Sequence, residues 1–379
     1  MIGGKNGRRW KTHGPFRGLL LAWIIAVLTA WTLAGVADEL MVPARGASVG
    51  RTPVDVLSTW DGVRYLRIAL NGYSTEGAEI RNFAFFPLLP AIARLLGGTS
   101  HAALAGILLG QVCLLGSLFL INQIAEVDER TPLRQQPGFW LLISPLSFFF
   151  HVFYTESLFL FLTLLMITAC RRAWSGAASL CGVMTGLTRP TAICLPVIFL
   201  WWAMQRLRQR QRFLGLLICA AAPLVGIAIY FSYVAYLLGD PLAYVQIQRQ
   251  GWQSQWTLPF AGAFRNAWES LLALTQGRFP SLGWIVRPLS ASSIVFLLFW
   301  GWRKCDPAFR VYLIVSMLFI HSQEPSRSTL RYELVLFPIF LLIARFMAPH
   351  PRLTWVVSTI MVAMQITLFL MHVSNRWVS

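Results

Sequence analysis

Charge is what this chain has least of. Only 12% of its 379 residues are Asp, Glu, Lys or Arg, against about a quarter in an ordinary soluble domain. The acidic sign is the scarcer, 15 residues against 32 basic ones, and lysine occurs only at Lys5, Lys11 and Lys304. Six cysteines, at 113, 170, 181, 194, 219 and 305, fall mostly inside apolar runs with no CxxC or metal-type spacing. That argues against a disulfide or zinc framework and makes them packing residues. Neither a phosphate-cradling GxxxxGK[ST] nor a zinc-binding HExxH is present, so nucleotide-dependent and zinc-protease chemistry have no support. No side-chain set suited to a metal or other cofactor stands out, and none is expected.

What fills the chain instead is apolar surface. Hydrophobic residues make up 56% of it, with 16 Trp and 26 Phe, and aromatic rings collect where helices pack and at membrane interfaces. A net charge of +17 would suggest a nucleic-acid partner in a soluble protein. In an apolar chain the basic residues are first tested against loop position, and they sort by side, so no nucleic acid is implied.

Apolar segments near residues 16–38, 101–125, 137–152, 157–170, 174–188, 191–205, 213–238, 288–302, 308–322, 332–347 and 353–373 predict an all-α bundle of about eleven transmembrane helices. The run "NFAFFPLLPAIARLLGG" at 82–98 is short and broken by Pro87 and Pro90, and reads as interfacial or re-entrant. With that element not crossing, Arg130 and Arg134, Arg171 and Arg172, "RLRQRQR" at 206–212, Arg303, Lys304 and Arg310, and Arg345 and Arg352 all face the cytoplasm, as does the basic N-terminus with Lys5, Arg8, Arg9, Lys11 and Arg17. The first apolar run lacks a small-residue cleavage site and reads as a retained span. The outer face then holds loops at 39–100 and 239–287 and shorter turns, in one integral membrane domain covering 1–379.

Every unusual polar cluster falls on that face. In "STWDGVRYLRIALNGY" (58–73), helical spacing puts Asp61, Arg64, Tyr65 and Ile68 on one side and Val63, Leu66, Leu70 and Tyr73 on the other, an amphipathic juxtamembrane pattern. Ser58 or Thr59 would cap the helix and place Asp61 in its first turn, where the dipole favours the ionised carboxylate. Asp61 is then either a general base or a partner of the dipole or of Arg64. In "PLSFFFHVFYTES", Glu156 is a second acid, a ligand for a substrate hydroxyl or a structural partner, and His151 reads as an interfacial histidine. Arg189 in "GLTRPT", with Arg327, Arg331, Tyr332 and Glu333 in "RSTLRYE", adds basic groups on the side where they are disfavoured. Their clustering suits an anionic ligand, since guanidinium forks bind phosphate bidentately.

The order and spacing of "WDGVRYLRIALNGY", "FAFFPLLP", "SPLSFFFHVFYTESLFLFL", "GLTRPTAICLP" and "RYELVLFPIFLL" resemble the PIG-V-type mannosyltransferases, members of the GT-C glycosyltransferases. The resemblance runs over about residues 55 to 345. It implies a GT-C-like fold and inverting transfer of a mannosyl residue from a polyprenyl-phosphate donor to a hydroxyl of a glycolipid or glycan acceptor, on the extracytoplasmic side of a lipid bilayer. It implies Asp61 as the catalytic base, with Arg189 and Arg331, and Arg64, Tyr65, Tyr332 and Glu156 around them, binding donor phosphate or substrate. Val63 and Arg64 stand where bulkier or aromatic residues are expected before Tyr65. The preference for arginine and the modest length point to a bacterial homologue in the inner membrane; a eukaryotic one would lie in the endoplasmic reticulum. A transporter or flippase of an anionic lipid-linked glycan is the alternative, ranked lower because the charges sit at one interface and no half-repeat is evident. An inactive scaffold subunit of a glycosylation complex is a third reading.

Overall fold

The computed structural model describes residues 15–41, 51–128, 130–325 and 328–374; the basic residues Lys5, Arg8, Arg9 and Lys11, and Arg327, lie outside them. The described residues are all-α apart from one two-stranded ribbon. In order the helices are α1 (Pro15–Met41), α2 (Pro53–Leu57), α3 (Asp61–Asn71), α4 (Leu88–Gly97), α5 (Ala102–Ile124), α6 (Pro137–Ile143), α7 (Glu156–Arg171), α8 (Ser175–Gly186), α9 (Pro196–Arg208), α10 (Leu214–Leu238), α11 (Ala243–Trp252), α12 (Ala261–Thr275), α13 (Leu282–Trp300), α14 (Pro307–His321), α15 (Thr329–Leu334), α16 (Pro338–Met347) and α17 (Pro351–Val373). Strands β1 (Gln255–Trp256) and β2 (Gln323–Glu324) pair antiparallel, Gln255 opposite Glu324.

Among the described residues, six helical stretches are long and apolar enough to cross a membrane: 16–37, 102–124, 190–208, 214–238, 283–300 and 351–373. The expected count of about eleven is therefore not reached on length. The other apolar segments are helical at least in part but too short, some because a proline breaks the run. Pro145 follows the end of α6, and the run 137–152 resumes only as a 3-10 turn at Ser147–Phe150. Helices α14 and α16 have 15 and 10 residues. At the Pro-broken run 82–98 the 3-10 helix Gly77–Ala84 and α4 meet at 105°, the bend of a broken span or of a re-entrant loop.

The interval 239–287, read from sequence as a loop, is mostly helical, holding α11, α12 and the start of α13. Helix α13 begins at Leu282, before the expected 288, with Pro288 inside it. Proline is tolerated there because neighbouring groups in a packed bundle satisfy the freed backbone.

Small residues set how closely the helices approach. On α8, Gly182 and Gly186 are four apart and share a face, which meets Ala222, Pro223 and Gly226 of α10. A methyl on Gly186 would stand 2.2 Å from the Pro223 carbonyl oxygen, and one on Gly226 would stand 2.1 Å from that of Val183. The two backbones touch, the small-residue packing that drives helix association where water supplies no hydrophobic force. Gly186→Ala is expected to cost about 1–3 kcal/mol of stability by overpacking, read as a lowered unfolding temperature in detergent. Gly176→Ala, with nothing within 4 Å of the new methyl, serves as the silent control.

The same logic seats the segment that carries the site. Gly106 of α5 leaves room for the Phe153 ring, whose carbons would lie 2.0 Å from a methyl there. Residues 147–155 thread through the interior against α5. The Phe153 N–H donates to the Leu57 carbonyl at 2.9 Å, tying this segment to α2. His151 pairs its Nδ1 with Gln111 Oε1 at 2.9 Å. Its ring is buried within the protein.

Candidate active site

Helix α3 starts at Asp61, as expected, but its cap is Trp60 rather than Ser58 or Thr59. Ser58 closes α2, and Thr59 donates its hydroxyl to the Val56 carbonyl. Trp60 has φ 57° and ψ −118°, a conformation that costs a bulky residue on the order of 1–3 kcal/mol and persists only when neighbours hold it. Its indole N–H donates to the His372 carbonyl at the end of α17, at 3.2 Å. The Asp61 N–H donates to the Tyr154 hydroxyl at 3.2 Å. The carboxylate thus sits at the positive end of the α3 dipole, fixed from two sides.

Four charges converge there from four regions of sequence. Arg331 donates from Nη1 to Asp61 Oδ2 at 2.6 Å and from Nε to Glu156 Oε1 at 2.8 Å, with Nη2 also 2.8 Å from Oε1. Arg189 Nη1 lies 3.1 Å from the same Glu156 oxygen, an ion contact without the alignment of a hydrogen bond. Two guanidinium cations thus meet two carboxylates. The side chains of Glu156, Arg189 and Arg331 are 0%, 5% and 6% exposed, whereas that of Asp61 is 24% exposed. Asp61 is therefore the member of the cluster that opens outward. Glu156, at the first residue of α7, is sealed in and joins the two arginines.

Aromatic rings complete the enclosure. Arg331 lies over Tyr154 and Phe149, its guanidinium carbon 4.5 and 5.0 Å from the ring centres, and Arg189 lies 4.8 Å over Tyr332. Such stacking stabilises a desolvated cation. Burial works against the charge on Arg331, but Glu156 and Asp61 more than offset it and raise its pKa. Burial, joined by Glu156 and Asp61, raises the pKa of the Tyr65 phenol, and burial, Asp61 and Glu156 do the same at Tyr154. Both stay protonated and serve as hydrogen-bonding groups.

The residues singled out from sequence divide between this cluster and its surroundings. Asp61, Glu156, Arg189, Arg331 and Tyr332 belong to it. Tyr65 is one layer behind, its hydroxyl 3.3 Å from Thr155 Oγ1. Arg64 turns away, donating to Asn82 Oδ1 at 3.2 Å; Asn82 donates to Glu79 at 2.5 Å, and Glu79 pairs with Arg67 at 2.9 Å. The partner of Asp61 is thus Arg331, 270 residues away in sequence, rather than its helix neighbour. On α3 the Tyr65 and Ile68 face is buried in protein, while Val63 is exposed. Sequence reasoning passed over Tyr154, although it stands two residues before Glu156 in a segment already marked for its polar groups. Trp60 stands beside Asp61 in the quoted motif but was given no role, and His372 carried no signal.

One cleft shares helix α15 with the cluster, and a second meets that cleft at Trp284 and Arg287. The larger, about 680 Å³, is mostly apolar and runs between α13, α16 and α17, with Leu330, Glu333 and Leu334 of α15 on its wall. Helix α15 therefore faces this cleft on one side and carries Arg331 on another. Glu333 is held by His321 Nε2 at 2.9 Å and by the Ser290 hydroxyl. A second cleft of about 650 Å³ is lined mainly by polar groups of α12, α13 and the β-ribbon.

The fold and this cluster define an all-α, multi-pass membrane protein with a largely buried acid and guanidinium site. Residues 40–256 match the family model described as mannosyltransferase (PIG-V), and the chain belongs to that family. The matched region contains Asp61, Arg64, Tyr65, Glu156 and Arg189, and ends before Arg331 and Tyr332. Over 143 residues the chain is 36% identical to "GPI alpha-1,6-mannosyltransferase 2" of Mus musculus, covering 34% of this chain and 26% of that protein. The Cricetulus griseus protein of the same name is 34% identical over 137 residues, 33% of this chain and 27% of its own. The chain thus spans about a quarter of the length of the curated relatives it matches.

Proposed function

We propose that this chain is a polyprenyl-phosphate-mannose-dependent mannosyltransferase that moves the sugar, with inversion, to a hydroxyl of a glycolipid or glycan acceptor on the extracytoplasmic face of its membrane, as one integral domain. A bacterial inner membrane is the setting that the arginine-rich composition favours. One observation carries the reading: a carboxylate partly open to solvent is held by an arginine whose other partners are buried.

Asp61 accepts the proton of the acceptor hydroxyl as that oxygen attacks the anomeric carbon from the face opposite the lipid phosphate. The bond from the anomeric carbon to the phosphate oxygen breaks with its electron pair going to the phosphate. A positioned base of this kind is worth about 10²–10⁴-fold in rate. The charge arithmetic favours the step. Before reaction the two arginines are balanced by Asp61 and Glu156. Once Asp61 is protonated, Arg331 keeps only the Glu156 contact, and one positive charge is uncompensated as the departing phosphate gains a negative one. Cationic groups set in advance where charge develops stabilise it without reorganisation.

The apolar cleft supports a lipid-linked donor, because α15 puts its wall next to the arginine cluster and gives a prenyl chain an apolar bed. Purified protein in liposomes with polyprenyl-phosphate-mannose and a panel of glycolipids is expected to give a mannosylated product of anomeric configuration opposite to the donor. Retained configuration overturns the mechanism. A lipid-linked sugar that crosses the bilayer without product points instead to a flippase.

A further inference from the structure

The polar cleft plays no part in the mechanism above. We propose that it is a carbohydrate subsite that grips the sugar portion of the acceptor away from the reacting hydroxyl, an inference that rests on the glycosyl-transfer reading.

The chemistry of its walls carries the assignment. Gln253, Gln255 and Asn266 present planar amides, Arg265 and Glu324 a guanidinium and a carboxylate, and Trp284 an indole. A sugar ring asks for this combination. Its hydroxyls are paired donors and acceptors that match amide, guanidinium and carboxylate edges two at a time, and its C–H face is an apolar surface that an aromatic ring covers. A lipid chain would find few partners here. Arg265 and Glu324 pair at 3.0 Å with Arg265 66% exposed, and Arg287 adds a second guanidinium to the wall, so the lining sets one net positive charge among neutral amide edges and phosphate is the ligand a sugar must outcompete.

The position of the cleft says which sugar. Its volume of about 650 Å³ is in the range of built ligand sites. Trp284 and Arg287 line both this cleft and the apolar one, so the two spaces adjoin. Asp61, Tyr154 and Arg331 line neither. A donor whose chain lies in the apolar cleft and whose phosphate meets the arginines leaves the polar cleft to a molecule that arrives from the aqueous side. Binding remote from the reacting atoms is how an enzyme orients a large acceptor and raises specificity. The cleft is also rigidly mounted. The Phe260 N–H donates to the His321 carbonyl at 3.0 Å, the Thr257 N–H to that of Ser322 at 2.8 Å, and the Phe260 ring stacks on His321, centres 4.7 Å apart. His321 in turn holds Glu333 on α15.

The test uses the full chain and two readouts. Saturation-transfer NMR with a mannobiose as probe is expected to show binding to the wild-type protein that is lost in Gln253→Ala/Gln255→Ala/Trp284→Ala. In the transfer assay the same variant is expected to raise the acceptor KM about tenfold or more, the loss of one or two good contacts, with the donor KM within about twofold. Gln253 and Gln255 are exposed, so Gln253→Ala/Gln255→Ala without the tryptophan change keeps the fold intact and should show a part of the same shift. Unchanged acceptor KM with active enzyme overturns the subsite alone. If the wild-type protein transfers no sugar, the mannosyltransferase reading fails, and the NMR arm decides separately whether the cleft holds carbohydrate. Displacement of the probe signal by inorganic phosphate, or a phosphate signal with none from mannobiose, makes this an anion site and overturns the inference.

Discussion

Asp61→Asn is expected to lower kcat by about 10²–10⁴-fold while the protein remains folded. Asparagine keeps the size of the side chain and one oxygen for Arg331, so the contact at 2.6 Å loses charge rather than shape. Arg331 and Arg189 both keep their contact with Glu156, so neither guanidinium loses its last carboxylate, although the cluster gains one net positive charge. Asp61 is also the partly exposed member of the cluster, where losing a charge costs little stability. The effect should therefore appear in the chemical step, measured as single-turnover transfer, with the unfolding temperature nearly unchanged. Asp61→Glu, which restores a base in a displaced position, should recover only part of the rate. A folded Asp61→Asn protein that transfers mannose at the wild-type rate would remove Asp61 from the mechanism.

Glu156→Gln is expected to act on stability first. The substitution is isosteric, yet it leaves Arg189 and Arg331 facing each other with Asp61 as the remaining carboxylate of the four-charge group. Removing one partner from a buried ion pair costs about 3–5 kcal/mol, because the other charge stays desolvated and uncompensated. Here the side chains are nearly inaccessible, at 0% for Glu156 and 5% and 6% for the arginines, so water cannot take over the role of the carboxylate. The double variant Glu156→Gln/Arg189→Gln restores the balance of one arginine with Asp61 and should recover a good part of the loss. A thermal unfolding series on wild type, both single variants and the double gives the coupling between residues 156 and 189. A loss below about 1 kcal/mol in the single variant would place Glu156 with ordinary surface pairs and undo the account of it as the buried link.

How much of this was legible beforehand differs residue by residue. Asp61 at the start of a helix followed from the composition of "STWDGVRYLRIALNGY", because helix dipole and amphipathic spacing are local properties. Its cap did not follow, since the positive φ of Trp60 goes with an indole bond to His372, and its neighbour Asp61 is held by Tyr154, both far along the chain. Arg64 illustrates the opposite case. Sequence proximity made it the natural partner of Asp61, but the α3 geometry directs it to Asn82. The short helices α6 and α16 show why hydrophobic runs overcount full-length spans. Apolar character persists across Pro145 and similar breaks, while helix length does not.

The sequence by itself determined that this is an all-α, membrane-embedded chain with its scarce polar groups gathered in a few segments, because apolar length, proline breaks and local charge are written position by position. It also carried the family, through motifs that each lie within about twenty residues. Only the tertiary structure decided which of those charges meet. Asp61, Glu156, Arg189 and Arg331 come from α3, α7, the turn after α8 and α15, and their contacts depend on helices approaching closely enough, as at Gly106 and Gly186, to exclude water from between them. Ion pairing at that distance is a property of packing, and a linear chain holds no record of which distant carboxylate a buried guanidinium will be forced to choose.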